Sequence, residues 1–198
     1  MKAITVNSKR WTHKVVPLPL ILLGLVASGC GDDGTSPEEE LDSASFTATV
    51  SGALSRSFSG VATFSAGTDP ETGESAWVLY LSTGGNNPTA ATDLIWFAGI
   101  GAPSEGTKSV TDLAETGDLP EGGVGGFVFV TDQSAGTIGT FLSQSGELRI
   151  NSLSASRMDG TFTFTADGTI ASQPPVEGSI TVQGSFQAEN GLFLLPFG

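Results

Sequence analysis

The chain has 198 residues, with 8 Lys and Arg against 21 Asp and Glu, one His, one Cys, 27 Gly and 10 Pro, a length suited to one domain of ordinary size. Four of the basic residues (Lys2, Lys9, Arg10, Lys14) and the single histidine, His13, precede Cys30, so a chain beginning at that cysteine keeps only Arg56, Lys108, Arg149 and Arg157 against all 21 acids. With no imidazole and a single thiol at its first residue, such a chain excludes Ser-His-Asp and Cys-His catalysis, a zinc site of nitrogen and sulfur ligands, an internal disulfide, and any basic patch able to neutralise nucleic-acid phosphates.

Residues 1–14 form a basic region, Val15 to Val26 a twelve-residue apolar run, and Ala27, Ser28 and Gly29 a small-residue stretch before Cys30, which is the order of a secretory signal. Twelve helical residues span about 18 Å against the roughly 30 Å of a bilayer's hydrocarbon core, and Pro17 and Pro19 break the helix further, so the run reads as an export address and not as a membrane span. The Val-Ala-Ser-Gly-Cys junction at Val26 to Cys30 resembles a bacterial lipobox. That resemblance implies cleavage between Gly29 and Cys30 and acylation of Cys30, including palmitate; the alternative is an ordinary secretory signal with a cysteine near its cut. Two or three acyl chains, at about 0.8 kcal/mol for each buried CH₂, would hold the protein on a membrane essentially permanently. Gly31, standing where an Asp would resemble an inner-membrane retention signal, points to the cell outer membrane, and Asp32-Asp33 resembles an acidic signal for the cell exterior.

Gly31 to Ser43 carries six acids, one Leu and no aromatic, and cannot bury enough surface to offset its ordering entropy, so residues 30–43 are expected to be a lipidated, flexible acidic linker. From Ala44 the period is two. Phe46, Ala48 and Val50 alternate with Ser and Thr, Phe58, Gly60, Ala62 and Phe64 follow, and Trp77, Leu79 and Leu81 share one phase while Val78 and Tyr80 share the other. Asp93 to Ala98 is apolar in both phases, as in a strand covered on each face. Phe127 to Val130, Ile138 to Leu142, Leu148 to Leu153, Thr161 to Thr165, Ser179 to Phe186 and Leu192 to Phe197 complete about ten short strands. Residues 44–198 are therefore expected to form a single all-β domain, an antiparallel β-sandwich or an open barrel.

Phe141 to Ile150 has the form of a hairpin with Ser145-Gly146 at its turn. A helical turn or two is expected near Ser109 to Glu115, capped by Thr111, followed by a long loop from Thr116 to Gly126. Leu192 to Phe197 is expected as a final strand docked on the domain, with Pro196 at its end.

The lipobox, the acidic tether, the opening Phe46-Thr-Ala-Thr-Val-Ser-Gly52, Ser-Gly-Glu-Leu-Arg-Ile ending at Ile150, Asp159-Gly-Thr-Phe-Thr-Phe164 and Val182-Gln-Gly-Ser-Phe186 together resemble an uncharacterised family of bacterial lipoproteins. The resemblance implies a single β-sandwich-like domain of unknown function and supplies no catalytic residues.

Carboxylates are the commonest reactive groups. Asp69, Glu71 and Glu74 are weak candidates for Ca²⁺ ligation, against a solvated turn set by Pro70 and Gly73. Asp112, Glu115, Asp118 and Glu121 could flank a sugar as acid and base, which requires two carboxyls roughly 5 to 9 Å apart. Trp77 and Trp96 are read as core on the company they keep, which leaves Tyr80 as the candidate exposed aromatic for ligand stacking. Thr161, Thr163 and Thr165 could present a hydroxyl array to ice or polysaccharide, against the plain reading of a water-facing strand. No phosphate-cradling glycine motif supports nucleotide use.

The function expected from these residues is that of a secreted, membrane-anchored cell-envelope protein acting as a non-enzymatic binding or structural module, without cofactor or resident metal. Its partners would be the membrane, through N-terminal acyl chains, and an envelope glycan or protein. The alternatives are a carbohydrate-recognising surface domain, with or without Ca²⁺, and a carboxylate-only hydrolase.

Overall fold

The computed structural model describes residues 44–68, 73–84, 93–116, 119, 121–132, 137–172 and 174–191, all within one unit of the chain, Glu40–Gly198. The alternation seen in the sequence becomes β1 (Ser45–Gly52), β2 (Arg56–Thr68), β3 (Ser75–Ser82), β4 (Asp93–Ile100), β5 (Gly106–Val110), β6 (Val124–Asp132), β7 (Thr137–Leu153), β8 (Arg157–Ala171) and β9 (Val176–Asn190), with one helical turn, α1 (Leu113–Thr116). The all-β expectation holds. The sheet goes further than the expected sandwich or open barrel and closes on itself, in the order β1-β2-β3-β4-β6-β5-β7-β8-β9 and back to β1. Closure pairs the first and last strands and so removes the free edges an open sheet would expose.

Closure at this size works because large inward side chains face glycines across the ladder. Phe46 lies opposite Gly60, Phe162 opposite Gly184, Phe186 opposite Gly160, Phe164 opposite Gly146, Phe141 opposite Gly168, Phe97 opposite Gly126 and Trp77 opposite Gly99. Each ring spreads over the backbone that a missing Cβ leaves open, which permits tight coiling of the sheet while filling its inside. At the centre, the Phe97 ring meets Phe162 at 5.4 Å and Phe164 at 5.3 Å between centroids, the second edge-on, and Phe162 stacks on Phe186 at 6.4 Å. Leu79, Leu81, Ile95, Leu148, Ile150 and Met158 pack around these rings with essentially no exposure.

Two irregularities complete the ring. Strand β1 starts at Ser45, and β9 runs past it to pair directly with β2 in parallel, Glu189 with Thr63 and Asn190 with Phe64. Strands β6 and β7 pair from Phe127 and Leu142 onward, then part to admit β5, which pairs with β7 over Gly106–Val110. At this fork the buried Ser143 hydroxyl donates to the Thr111 carbonyl at 2.6 Å and accepts from the Gly126 N–H at 2.9 Å, tying three segments together. At one end of the barrel, Arg56 reaches from β2 to the buried Asp93 of β4 at 3.2 Å and to the Thr131 carbonyl of β6 at 3.0 Å, while Asp93 accepts the Thr131 N–H.

Three local expectations are corrected. Ser145-Gly146 is not a hairpin turn, because β7 runs unbroken from Thr137 to Leu153. Gly146, at φ 147°, instead follows a register shift between Ser143 and Ser145, where the backbone crowds Phe164 of β8 too closely for a Cβ. Ser109 belongs to β5, and the helical turn is capped by Asp112, whose Oδ1 accepts the Glu115 N–H at 2.9 Å; the Thr111 hydroxyl donates to the Val124 carbonyl. The glycine-rich stretch before Phe127 is already strand from Val124: Val124 and Gly126 face the core, and Leu113 and Leu119 sit over Gly125 on the other face. Leu192 to Phe197 lies outside the described residues.

Candidate functional site

With its interior filled by rings, the barrel offers ligands its outer surface. Along β1, Thr47 and Thr49 point outward between Phe46, Ala48 and Val50, and the same alternation turns Ser57 and Ser59 of β2, Thr161, Thr163 and Thr165 of β8, and Gln183 and Ser185 of β9 to solvent. Register lines these residues up across five adjacent strands. One row reads Ser59, Thr47, Ser185, Thr161, Arg149, and the next Ser57, Thr49, Gln183, Thr163, Glu147. Neighbours within a row stand about 4.8 Å apart and the two rows about 7 Å apart. The rows line an open groove of about 840 Å³.

The array is a grid of hydroxyl and amide donors and acceptors, with one cation and one anion at its β7 end. Thr47 Oγ1 and Ser185 Oγ are 3.3 Å apart within it, and Ser145 Oγ and Thr165 Oγ1 3.1 Å apart beside it. Hydroxyls of this kind exchange a weak mutual hydrogen bond for one to a ligand at little cost, since both states are satisfied. The expected Thr161, Thr163, Thr165 ladder is thus one column of a wider surface. The other columns, Thr47 with Thr49, Ser57 with Ser59 and Gln183 with Ser185, were visible as polar phases in the sequence; what joins them is the register, which no single strand reveals.

The remaining candidates fall elsewhere. Trp77 is core, packed on Gly99, as expected. Trp96 is not core: Ile95, Phe97 and Gly99 take the inward phase of β4, and Trp96 faces outward directly opposite Tyr80 of β3. Its phase was misjudged because β4 is apolar on both faces. Tyr80 is outward-facing and half-buried, in an apolar surface formed by β3, β4 and β6, strands that do not line the polar groove. Burial raises its phenol above the ordinary 10.0, opposed by a hydrogen bond with Ser82.

Glu74 is exposed just before β3, and Asp69 and Glu71 lie outside the described residues. Asp112 caps α1 and Glu115 lies on it, Glu121 makes an isolated bridge with Ile100, and Asp118 lies outside the described residues. Among the described residues, no three His, Cys, Asp or Glu side chains are grouped to hold a metal ion. Gly29 and Cys30 are also outside the described residues. Comparison with protein-family models, curated proteins and solved structures finds no match to this chain.

Proposed function

We propose that the protein is a lipid-anchored cell-envelope binding module, non-enzymatic, whose contact surface is the polar groove over β2, β1, β9, β8 and β7, and whose ligand is an extended polar polymer of the envelope, a glycan. The observation that carries the reading is the two-row grid of Ser, Thr and Gln across four strands, ended on the fifth by Arg149 and Glu147. A polymer laid across the strands meets a hydrogen-bonding group at each strand, and a sheet face positions them without the entropy cost of ordering a loop. The packed ring cluster supports an outer site over an inner one. Export and anchoring rest on the lipobox-like junction at Cys30 and the acidic linker behind it.

Two experiments test the two halves. Metabolic labelling with an alkyne fatty acid should mark the wild type and not Cys30→Ala; equal labelling of both refutes the anchor. A glycan array should bind wild type and lose signal with Thr163→Lys or Gln183→Lys, whose long charged side chains obstruct the groove. Silence across envelope polysaccharides, or binding that these substitutions leave intact, refutes the groove as the contact surface.

A further inference from the structure

Both charged groups of the polar groove stand on β7. Arg149 and Glu147 share its outward phase two residues apart, about 7 Å along the strand, and both are exposed. Past them hydroxyls resume on the neighbouring strand. Arg149 lies between Thr161 of β8 and Thr107 of β5, and Glu147 between Thr163 of β8 and Ser109 of β5, all four flanking residues being exposed. Arg149 is thus a cation set within a line of hydroxyls. Its guanidinium has no ion-pair or hydrogen-bond partner among the described residues. Arg56, by contrast, pairs with Asp93, the Lys108 ammonium donates to Ser104 Oγ at 2.6 Å, and Arg157 lies outside the groove. Asp159, beyond Thr161 on the outward phase of β8, accepts the Ser152 hydroxyl.

We infer that Arg149 seats a carboxylate of the bound polymer, so that the ligand is an acidic glycan whose uronates are separated by neutral sugars. The inference rests on the groove being the glycan-contact surface. A guanidinium is a planar fork of donors that matches a carboxylate with two parallel hydrogen bonds, and the hydroxyls of Thr161 and Thr107 stand on either side to meet the ring hydroxyls of the same sugar. Arg149 also supplies what the neutral rows lack. Ser59, Thr47 and Ser185 offer similar groups at each step, so they hold a polymer without fixing its register, and one carboxylate on Arg149 fixes it. The charges must be sparse. Glu147 lies within a Debye length of about 8 Å of Arg149, and the chain beyond Cys30 holds four basic residues against 21 acids, so a polymer with a carboxylate on every sugar meets one cation and net repulsion.

The test compares polymers that differ only in charge, at low ionic strength. The probes are hyaluronan and gellan, whose uronates alternate with neutral sugars, their carboxyl-reduced forms, and polygalacturonate, with a carboxylate on every sugar. Wild type should bind the first pair about fivefold more tightly than the reduced forms, the upper range for an exposed ion pair, with the preference shrinking as salt is added. Polygalacturonate should bind more weakly than either. Arg149→Gln, an exposed change that leaves the core untouched, should abolish the preference and leave affinity for the reduced polymers unchanged, whereas Thr163→Lys should weaken binding of both forms. Equal binding of charged and reduced polymers, a preference that survives Arg149→Gln, or tightest binding of polygalacturonate overturns the assignment of Arg149 while the groove stands. Binding of no polymer in either form removes the groove reading and this inference with it.

Discussion

Substituting Gly184 by Ala isolates the physical requirement on which closure of the barrel depends. Gly184 lies inward on β9, opposite Phe162 of β8 and Ala48 of β1, and its backbone is outside the left-handed region, so an Ala there has no conformational penalty. The cost is steric. A Cβ would come 2.5 Å from Phe162 Cζ and 3.0 Å from Ala48 Cα, and would also press on the Thr47 carbonyl oxygen. Ordinary carbon contacts are about 3.5–4.0 Å, so about 1 Å must be recovered. Neither side yields easily: Phe162 is held between Phe97 and Phe186, and the Thr47 carbonyl belongs to the β1–β9 ladder. Overpacking of this type costs about 1–3 kcal/mol, and the backbone contact puts Gly184→Ala near the upper end, about 3 kcal/mol, or a fall of about 6–12 °C in Tm for a domain of this size.

Gly126→Ala is the matched control. It is also inward, opposite Phe97, but its added Cβ would meet Phe164, Phe97 and Ser143 at 3.4 Å, nearly ordinary contact. The loss of unfolded-state entropy should offset most of that strain and keep the change within about 1 kcal/mol. Urea denaturation of the two variants beside wild type measures the difference. Equal stability of the two variants would refute the account of ring-over-glycine packing, because both lose a glycine from the same kind of pair and differ only in clearance.

Two further outcomes follow from single groups. Ser143→Ala strips the Gly126 N–H and the Thr111 carbonyl of their shared partner at the β5 fork and should cost about 2 kcal/mol in denaturant unfolding, with Ser143→Thr not compensating in so tight a site; a loss under about 0.5 kcal/mol would show that the fork is held by other contacts. Tyr80 is the sole tyrosine, so phenolate absorbance follows it alone, and its midpoint should lie above 10.0 in the folded protein and fall on unfolding. A raised folded value means that the native state holds this proton more tightly: its contribution to stability is complete below about pH 10 and is lost as pH climbs through the folded midpoint. A folded midpoint at or below that of the unfolded chain would contradict the burial of Tyr80.

Much of the fold lay open in the residue order. A period of two sets which face of each strand is wet, and it correctly turned Phe46, Phe58, Trp77, Phe162 and Phe186 inward and Thr161, Thr163 and Thr165 outward, because side-chain direction along a strand is a local property. Where both phases are apolar, local pattern has nothing to separate, and there Trp96 was placed on the wrong side. Gly146 shows the same boundary from another direction. Glycine marks backbone without a Cβ, but a turn and a close approach to Phe164 look alike until the partner strand is in place. The sequence by itself determined the all-β class, the inward face of each strand whose two phases differ, and that no His or Cys follows Cys30. Only the tertiary structure decided that the sheet closes, that Phe and Gly meet in register, and that hydroxyls from four strands form one grid, because cross-strand register joins residues as far apart as Thr47 and Ser185 and is set by packing that no short stretch of chain contains.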